Sequence, residues 1–167
     1  MDNIERIKIN TVVNGENIEA FVEPRLSLVD FLRNELELTG SHVGCEHGVC
    51  GACSVQVDGD VVRGCLMLAS QADGSDIISI EGASDSGSIA DLQKAFHERN
   101  ALQCGFCTPG MLLTSSELLD HNKTPTRTEI REYLSGNYCR CTGYEAIIDA
   151  VETVSNDRSG GSRNGKS

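Results

Sequence analysis

The chain has 167 residues, 14 Lys+Arg against 25 Asp+Glu, and a formal net charge of −11. That length suits one or two small domains with modest cores, and 39% hydrophobic with 23% charged residues is a globular rather than a disordered composition. The acid excess argues against nucleic-acid phosphates as partners, and no apolar run reaches the roughly 20 residues of a membrane helix.

Ile4, Ile7 and Ile9 mark a first strand over residues 4–12, and Asn14-Gly15 is a two-residue hairpin signal. Ile18, Ala20 and Val22 alternate, so a second strand returns and stops at Pro24. Ser27 with Asp30 opens a helix whose apolar face is Leu28, Phe31, Leu32 and Leu36, with Gly40 as its stop. A glycine-rich segment follows to Gly51. Residues 54–57 then read as a strand, Asp58-Gly59 as a turn, Val61-Val62 as its return, and residues 77–80 as a last short strand. The first half is a small mixed sheet crossed by one helix, a β-grasp-like arrangement ending near Gly82. Residues 82–87 (GASDSG) have a linker composition.

Beyond that stretch the period turns helical. Ser88 with Asp91 opens one helix (Ile89, Leu92, Phe96), and Pro109 stands at the start of a second carrying Met111 to Leu119. Thr126 with Glu129 opens a third, and residues 144–154 form a fourth through Ile147, Ala150, Val151 and Val154. The residues from Asn156 onward hold no core-forming side chain and are expected to be a disordered tail.

Eight cysteines stand against four Phe, three Tyr and no Trp. The charged opening MDNIERIKIN has no apolar leader core, so the expectation is a reducing, cytoplasmic compartment, where clustered cysteines mean metal more often than disulfides. They fall as four plus four. Cys45, Cys50, Cys53 and Cys65 lie in the sheet half, as C-x4-C-x2-C with a distant fourth, the plant-type spacing of a [2Fe–2S] site. Gly44, Gly48 and Gly51 permit the sharp turns that wrap three thiolates round a small cluster. Cys104 and Cys107 lie between the first and second helices, and Cys139 and Cys141 between the third and fourth. If both loops sit at one end of the bundle, four thiolates converge. A structural zinc site is the rival for either set. His47 lies inside the first cysteine loop and reads as a loop-surface residue, although histidine can replace cysteine at such centres; His42, His97 and His121 are expected to be solvated. Nothing in the sequence suggests a hydrolytic constellation or a phosphate cradle.

Three segments, CEHGVCGAC after Gly44, CGFCTPGM after Gln103 and NYCRCTGY after Gly136, resemble the iron–sulfur module of the molybdenum hydroxylases. That family includes the xanthine dehydrogenases, aldehyde oxidoreductases and carbon monoxide dehydrogenases. The resemblance spans residues 4–155 and implies an α+β chain. An N-terminal plant-type ferredoxin-like β-grasp domain (1–82) would precede a C-terminal four-helix [2Fe–2S]-binding domain (83–155) and the tail (156–167). It implies two [2Fe–2S] clusters, one on Cys45, Cys50, Cys53 and Cys65 and one on Cys104, Cys107, Cys139 and Cys141. It further implies a large subunit carrying a molybdopterin-type molybdenum cofactor and a medium subunit carrying FAD, in a heterotrimer or its dimer. Gln103 and Cys141 match positions near the pterin, and Gly48 a position near the flavin. The implied activity is electron transfer within a water-dependent hydroxylase, with an N-heteroaromatic or related catabolic compound the expected substrate. The alternatives are a free-standing two-cluster ferredoxin and a zinc-held interaction module.

Overall fold

The computed structural model describes residues 5–161. Its first half is a mixed five-stranded sheet in the order β2-β1-β5-β3-β4. β1 (Ile7–Val13) and β2 (Glu16–Val22) form an antiparallel hairpin. Asn14 and Gly15 both take positive φ, 53° and 84°, as a tight turn matched to strand twist requires. β1 turns Ile9, Thr11 and Val13 inward. β3 (Ser54–Val57) and β4 (Asp60–Arg63) form a second hairpin over Asp58-Gly59. β5 (Asp76–Ile78) lies between the hairpins, parallel to β1 and antiparallel to β3.

The crossing helix, α1 (Leu28–Asp30), starts where the Ser27 hydroxyl accepts the Asp30 N–H at 3.2 Å. It continues as a wider π-helical turn over Phe31–Glu35. Leu28, Phe31 and Leu32 share one core with Ile9, Val55 and Ile77. The helix ends before the expected stop at Gly40. Gly40 instead lies against Ile80 and Glu81, and its amide donates to Glu81 Oε1 at 2.7 Å.

The expected last strand, residues 77–80, ends at Ile78. The expected linker is largely a helix, α2 (Ile80–Asp85), so the boundary expected at residue 82 falls inside a helical turn. Tertiary packing overrides the linker composition here: Ile80 and Ala83, three apart, enter the helical core. The hairpin residue Asn14 accepts from the Ser79 amide and donates to the Ser79 hydroxyl, each at 2.9 Å.

α3 (Ala90–Glu98), α4 (Thr108–His121), α5 (Arg127–Tyr133) and α6 (Glu145–Gly161) make the second half. Their core includes Leu92, Phe96, Met111, Leu113, Leu119, Ile130, Ile147 and Val151. Pro109 stands in the first turn of α4 and Thr126 with Glu129 forms a capping box on α5, both as expected. Ser88 does not cap α3; its hydroxyl donates to the Ala83 carbonyl at 3.1 Å. α6 outruns its expected end, so residues 156–161 are helical rather than irregular. Arg158 on that extension grips both oxygens of Asp91, at 2.7 and 2.9 Å. The rest of the expected tail lies outside the described residues. No helix among the described residues is long and apolar enough to cross a membrane.

Candidate metal centres

The first thiol group is built on the loop that leads into β3. Glu46, Gly48 and Gly51 take positive φ of 56°, 82° and 72° and fold the loop over itself. The Cys50 amide donates to Cys45 Sγ at 3.4 Å. Cys65 arrives from beyond the β3–β4 hairpin, where the Gly64 amide donates to the Cys53 carbonyl at 3.1 Å. Cys53 is buried, and Cys45, Cys50 and Cys65 are half-buried. The backbone amide of His47, followed by that of Cys50, holds the Cys45 thiol down at about 6. Burial pushes Cys53 up to about 11, against a lowering hydrogen bond from the Cys65 backbone.

The second group is assembled from the α3–α4 and α5–α6 loops, which lie at one end of the bundle. Cys104 and Cys141 are exposed with their sulfurs 3.6 Å apart, while Cys107 and Cys139 are half-buried. Gly105, Gly143 and Tyr144 turn these loops through positive φ. Burial, and then Cys139, pushes Cys107 up to about 12. For Cys139 the largest influence, burial, acts upward. Donors from the Thr142 hydroxyl (3.1 Å) and amide (3.4 Å) outweigh it, and the thiol falls below its ordinary value. Cys141 is raised, first by its hydrogen bond to Cys104. The exposed Gln103 ties the loops together, its Nε2 donating to the Cys141 carbonyl at 3.0 Å. Gly48, in the first cysteine loop, lies directly against the Leu66 side chain.

A joint connects the two groups. The Tyr138 amide donates to the Cys50 carbonyl at 2.8 Å. Asn137, 1% exposed, donates to the Gly51 carbonyl at 3.3 Å and accepts from Thr114 at 3.3 Å and Arg63 at 3.1 Å. Arg63 also donates to the Gly136 carbonyl at 2.8 Å. Gly110 lies directly on the Gly51 carbonyl. Sequence reasoning missed Arg63, Asn137 and Thr142. The NYCRCTGY segment contains two of them but gives no sign of their partners. His42, expected in solvent, stacks on Phe106 at 4.7 Å and bonds its carbonyl, so it bridges the two cysteine loops. His47 is exposed and contacts the Cys45 carbonyl.

All eight cysteines are free thiols, and two all-sulfur groups suit zinc or an iron–sulfur cluster. Amides and hydroxyls aimed at sulfur favour the cluster, since they offset its negative charge. The Thr108 hydroxyl, next to Cys107, is buried without a partner among the described residues, a donor available to a cluster sulfur. The residues present therefore fit [2Fe–2S] binding. A ferredoxin-like sheet and a helical bundle, each carrying a cysteine quartet, define a two-cluster iron–sulfur protein.

Residues 11–79 match the family described as 2Fe-2S iron-sulfur cluster binding domain, and residues 79–152 the family described as [2Fe-2S] binding domain. Over 150 residues the chain is 55% identical to the caffeine dehydrogenase subunit gamma of Pseudomonas sp. (strain CBB1), covering 88% of this chain and 90% of that one. It is 52% identical over 147 residues to the nicotine 6-hydroxylase small subunit of Paenarthrobacter nicotinovorans, covering 88% of each. It superposes on quinoline 2-oxidoreductase from Pseudomonas putida 86 with a TM-score of 0.88 and 45% identity, over 98% of this chain and 99% of that chain. The chain belongs to the iron–sulfur small subunits of the molybdenum hydroxylases, the xanthine dehydrogenase family.

Proposed function

We propose that this subunit is an electron relay. Cys45, Cys50, Cys53 and Cys65 hold one [2Fe–2S] cluster on the unit ending at β5, and Cys104, Cys107, Cys139 and Cys141 hold the other on the unit beginning at α2. When bound, clusters of this type carry one electron each, so a pair can split a two-electron oxidation into single transfers. The partners are a large subunit with a molybdopterin-type molybdenum cofactor and a medium subunit with FAD. Gln103 and Cys141 face the pterin side and Gly48 the flavin side. The relatives' names, caffeine, nicotine and quinoline, favour an N-heteroaromatic substrate hydroxylated with oxygen from water.

The observation that carries this reading is the joint, in which the Tyr138 amide holds the Cys50 carbonyl at 2.8 Å, so that the segment leading into Cys139 lies on a cysteine of the first group. The protein's own work is mechanical and electrostatic. The loops hold eight thiolates, the amides and Thr142 donate to sulfur, and the buried Cys53 and half-buried Cys107 limit the access of water. The exposed edge at Cys104 and Cys141 leaves the second group open to a neighbour.

Iron and acid-labile sulfide on the full chain should each come to about four per chain, with two distinct [2Fe–2S] signals by electron paramagnetic resonance (EPR). Zinc in place of iron would refute the reading. In the assembled complex, Gln103→Ala should slow reduction of the second cluster by substrate while leaving that cluster's spectrum unchanged.

A further inference from the structure

Arg63 is the one residue of the joint that bears a charge, and its position is specific. It ends β4, pairs across the ladder with Ser54, the neighbour of Cys53, and stands two residues before Cys65. Its Nη1 donates to the Ser54 hydroxyl, and its Nη2 to the Gly136 carbonyl and the Asn137 side-chain oxygen. Asn137 is in turn two residues before Cys139. The guanidinium therefore touches segments that carry cysteines of both quartets. All its hydrogen-bond acceptors are neutral. Arg127, Arg131 and Arg158 each grip carboxylates, whereas Arg63 has none within ion-pair distance among the described residues.

A half-buried cation without a counter-ion is costly unless negative charge lies nearby. In the two-cluster reading that charge would come from the two cysteine quartets whose segments the guanidinium bonds, and it would grow by one unit if the iron of either bound cluster were reduced. We infer that Arg63 is a positioning residue that keeps an uncancelled positive charge between the two sulfur quartets, making reduction of the clusters more favourable while its planar fork fixes their separation. The inference rests on the two-cluster reading above. It adds a residue that holds no iron and a quantity, the reduction potential, that the reading leaves open. A positive charge beside an acceptor favours its more negative, reduced state, and the effect should be larger for the first quartet, whose Cys53 and Cys65 flank the Ser54–Arg63 pair.

The test is an EPR-monitored redox titration of the full chain carrying both clusters. Arg63→Gln removes the charge and should make reduction of the first cluster about tenfold less favourable, a midpoint about 59 mV more negative for a one-electron couple. Arg63→Lys keeps the charge and should stay within about twofold, or about 18 mV, of the wild type. Equal shifts in both variants, or an unmoved midpoint in Arg63→Gln with both signals intact, would overturn the inference. If Arg63→Gln does not assemble, Asn137→Asp sets a carboxylate against the same guanidinium and should also lower the potential; an unmoved midpoint there overturns the inference too. Loss of a cluster in both variants would assign Arg63 a purely structural role and equally overturn it. A wild-type chain lacking two [2Fe–2S] signals would instead sink the two-cluster reading itself.

Discussion

Gly110→Ala tests how tightly the two halves are joined. Alanine suits a helix interior better than glycine by about 1 kcal/mol, so propensity alone predicts a more stable protein. The geometry predicts the reverse. A Cβ at Gly110 would stand 2.3 Å from the Gly51 carbonyl oxygen and 3.1 Å from Asn137 Nδ2. The carbonyl would have to retreat by about 0.7 Å to reach even the closest spacing such atoms adopt. The nearest neighbour is backbone rather than the end of a flexible side chain, so relief requires the joint to open. Overpacking of this kind costs about 1–3 kcal/mol, and the strained Asn137–Gly51 hydrogen bond is worth about 1 more. Against the helical gain, the net destabilisation is about 1–3 kcal/mol. For a chain of this size that lowers the melting temperature by roughly 3–10 °C. Gly160→Ala is the control: it lies in a helix with nothing within 4 Å of the added carbon, and it should be neutral or slightly stabilising. Thermal unfolding followed by circular dichroism, with visible absorbance tracking the clusters, reads both variants. A Gly110→Ala chain that melts at or above the wild type would refute the packing argument.

Cys107→Ser should abolish one of the two [2Fe–2S] EPR signals and leave the first-quartet signal intact; retention of both would remove Cys107 from the ligand set. Ser27→Ala deletes the cap on the Asp30 amide and should cost about 1 kcal/mol in urea unfolding, whereas Ser27→Thr keeps the hydroxyl and should stay near the wild type. Arg158 hydrogen-bonds Asp91 and holds its carboxyl below the ordinary carboxylate value of 3.8. The pair's contribution is therefore complete above that value and fades as the pH falls through the depressed one. The partly exposed pair is worth about 0.5–1 kcal/mol, so Asp91→Asn should be less stable than the wild type at neutral pH, and the gap should close below about pH 4.

The first quartet was legible because its chemistry is local: three cysteines on one loop must turn sharply, and the glycines that allow it stand between them. The second quartet needed one further step, the convergence of two loops at one end of a bundle, which helix periodicity supplied. The joint had no such signal. Arg63 and Asn137 meet across a separation of 74 residues, and although Asn137 stands in the NYCRCTGY segment, nothing in the spacing points to its partner. The stretch from Gly82 to Gly87 misled for a related reason. Its small polar residues are what a linker would contain, yet burial of Ile80 and Ala83 is enough to wind the segment into a helix. Arg158 shows the same limit at the other end. A segment with no apolar residue still holds helical form where it grips Asp91 on α3. His42 looked like a surface histidine until folding brought the Phe106 ring beneath it.

The short helix at residues 80–85 also fixes how the two halves can communicate. Domains on a slack tether meet by tumbling, and the rate of exchange between them then follows the viscosity of the medium. Here the tether is a wound turn whose apolar residues are sealed into one half. The gap between the two sulfur groups is thus a constant of the fold rather than an average over encounters, and traffic across it should be indifferent to added glycerol.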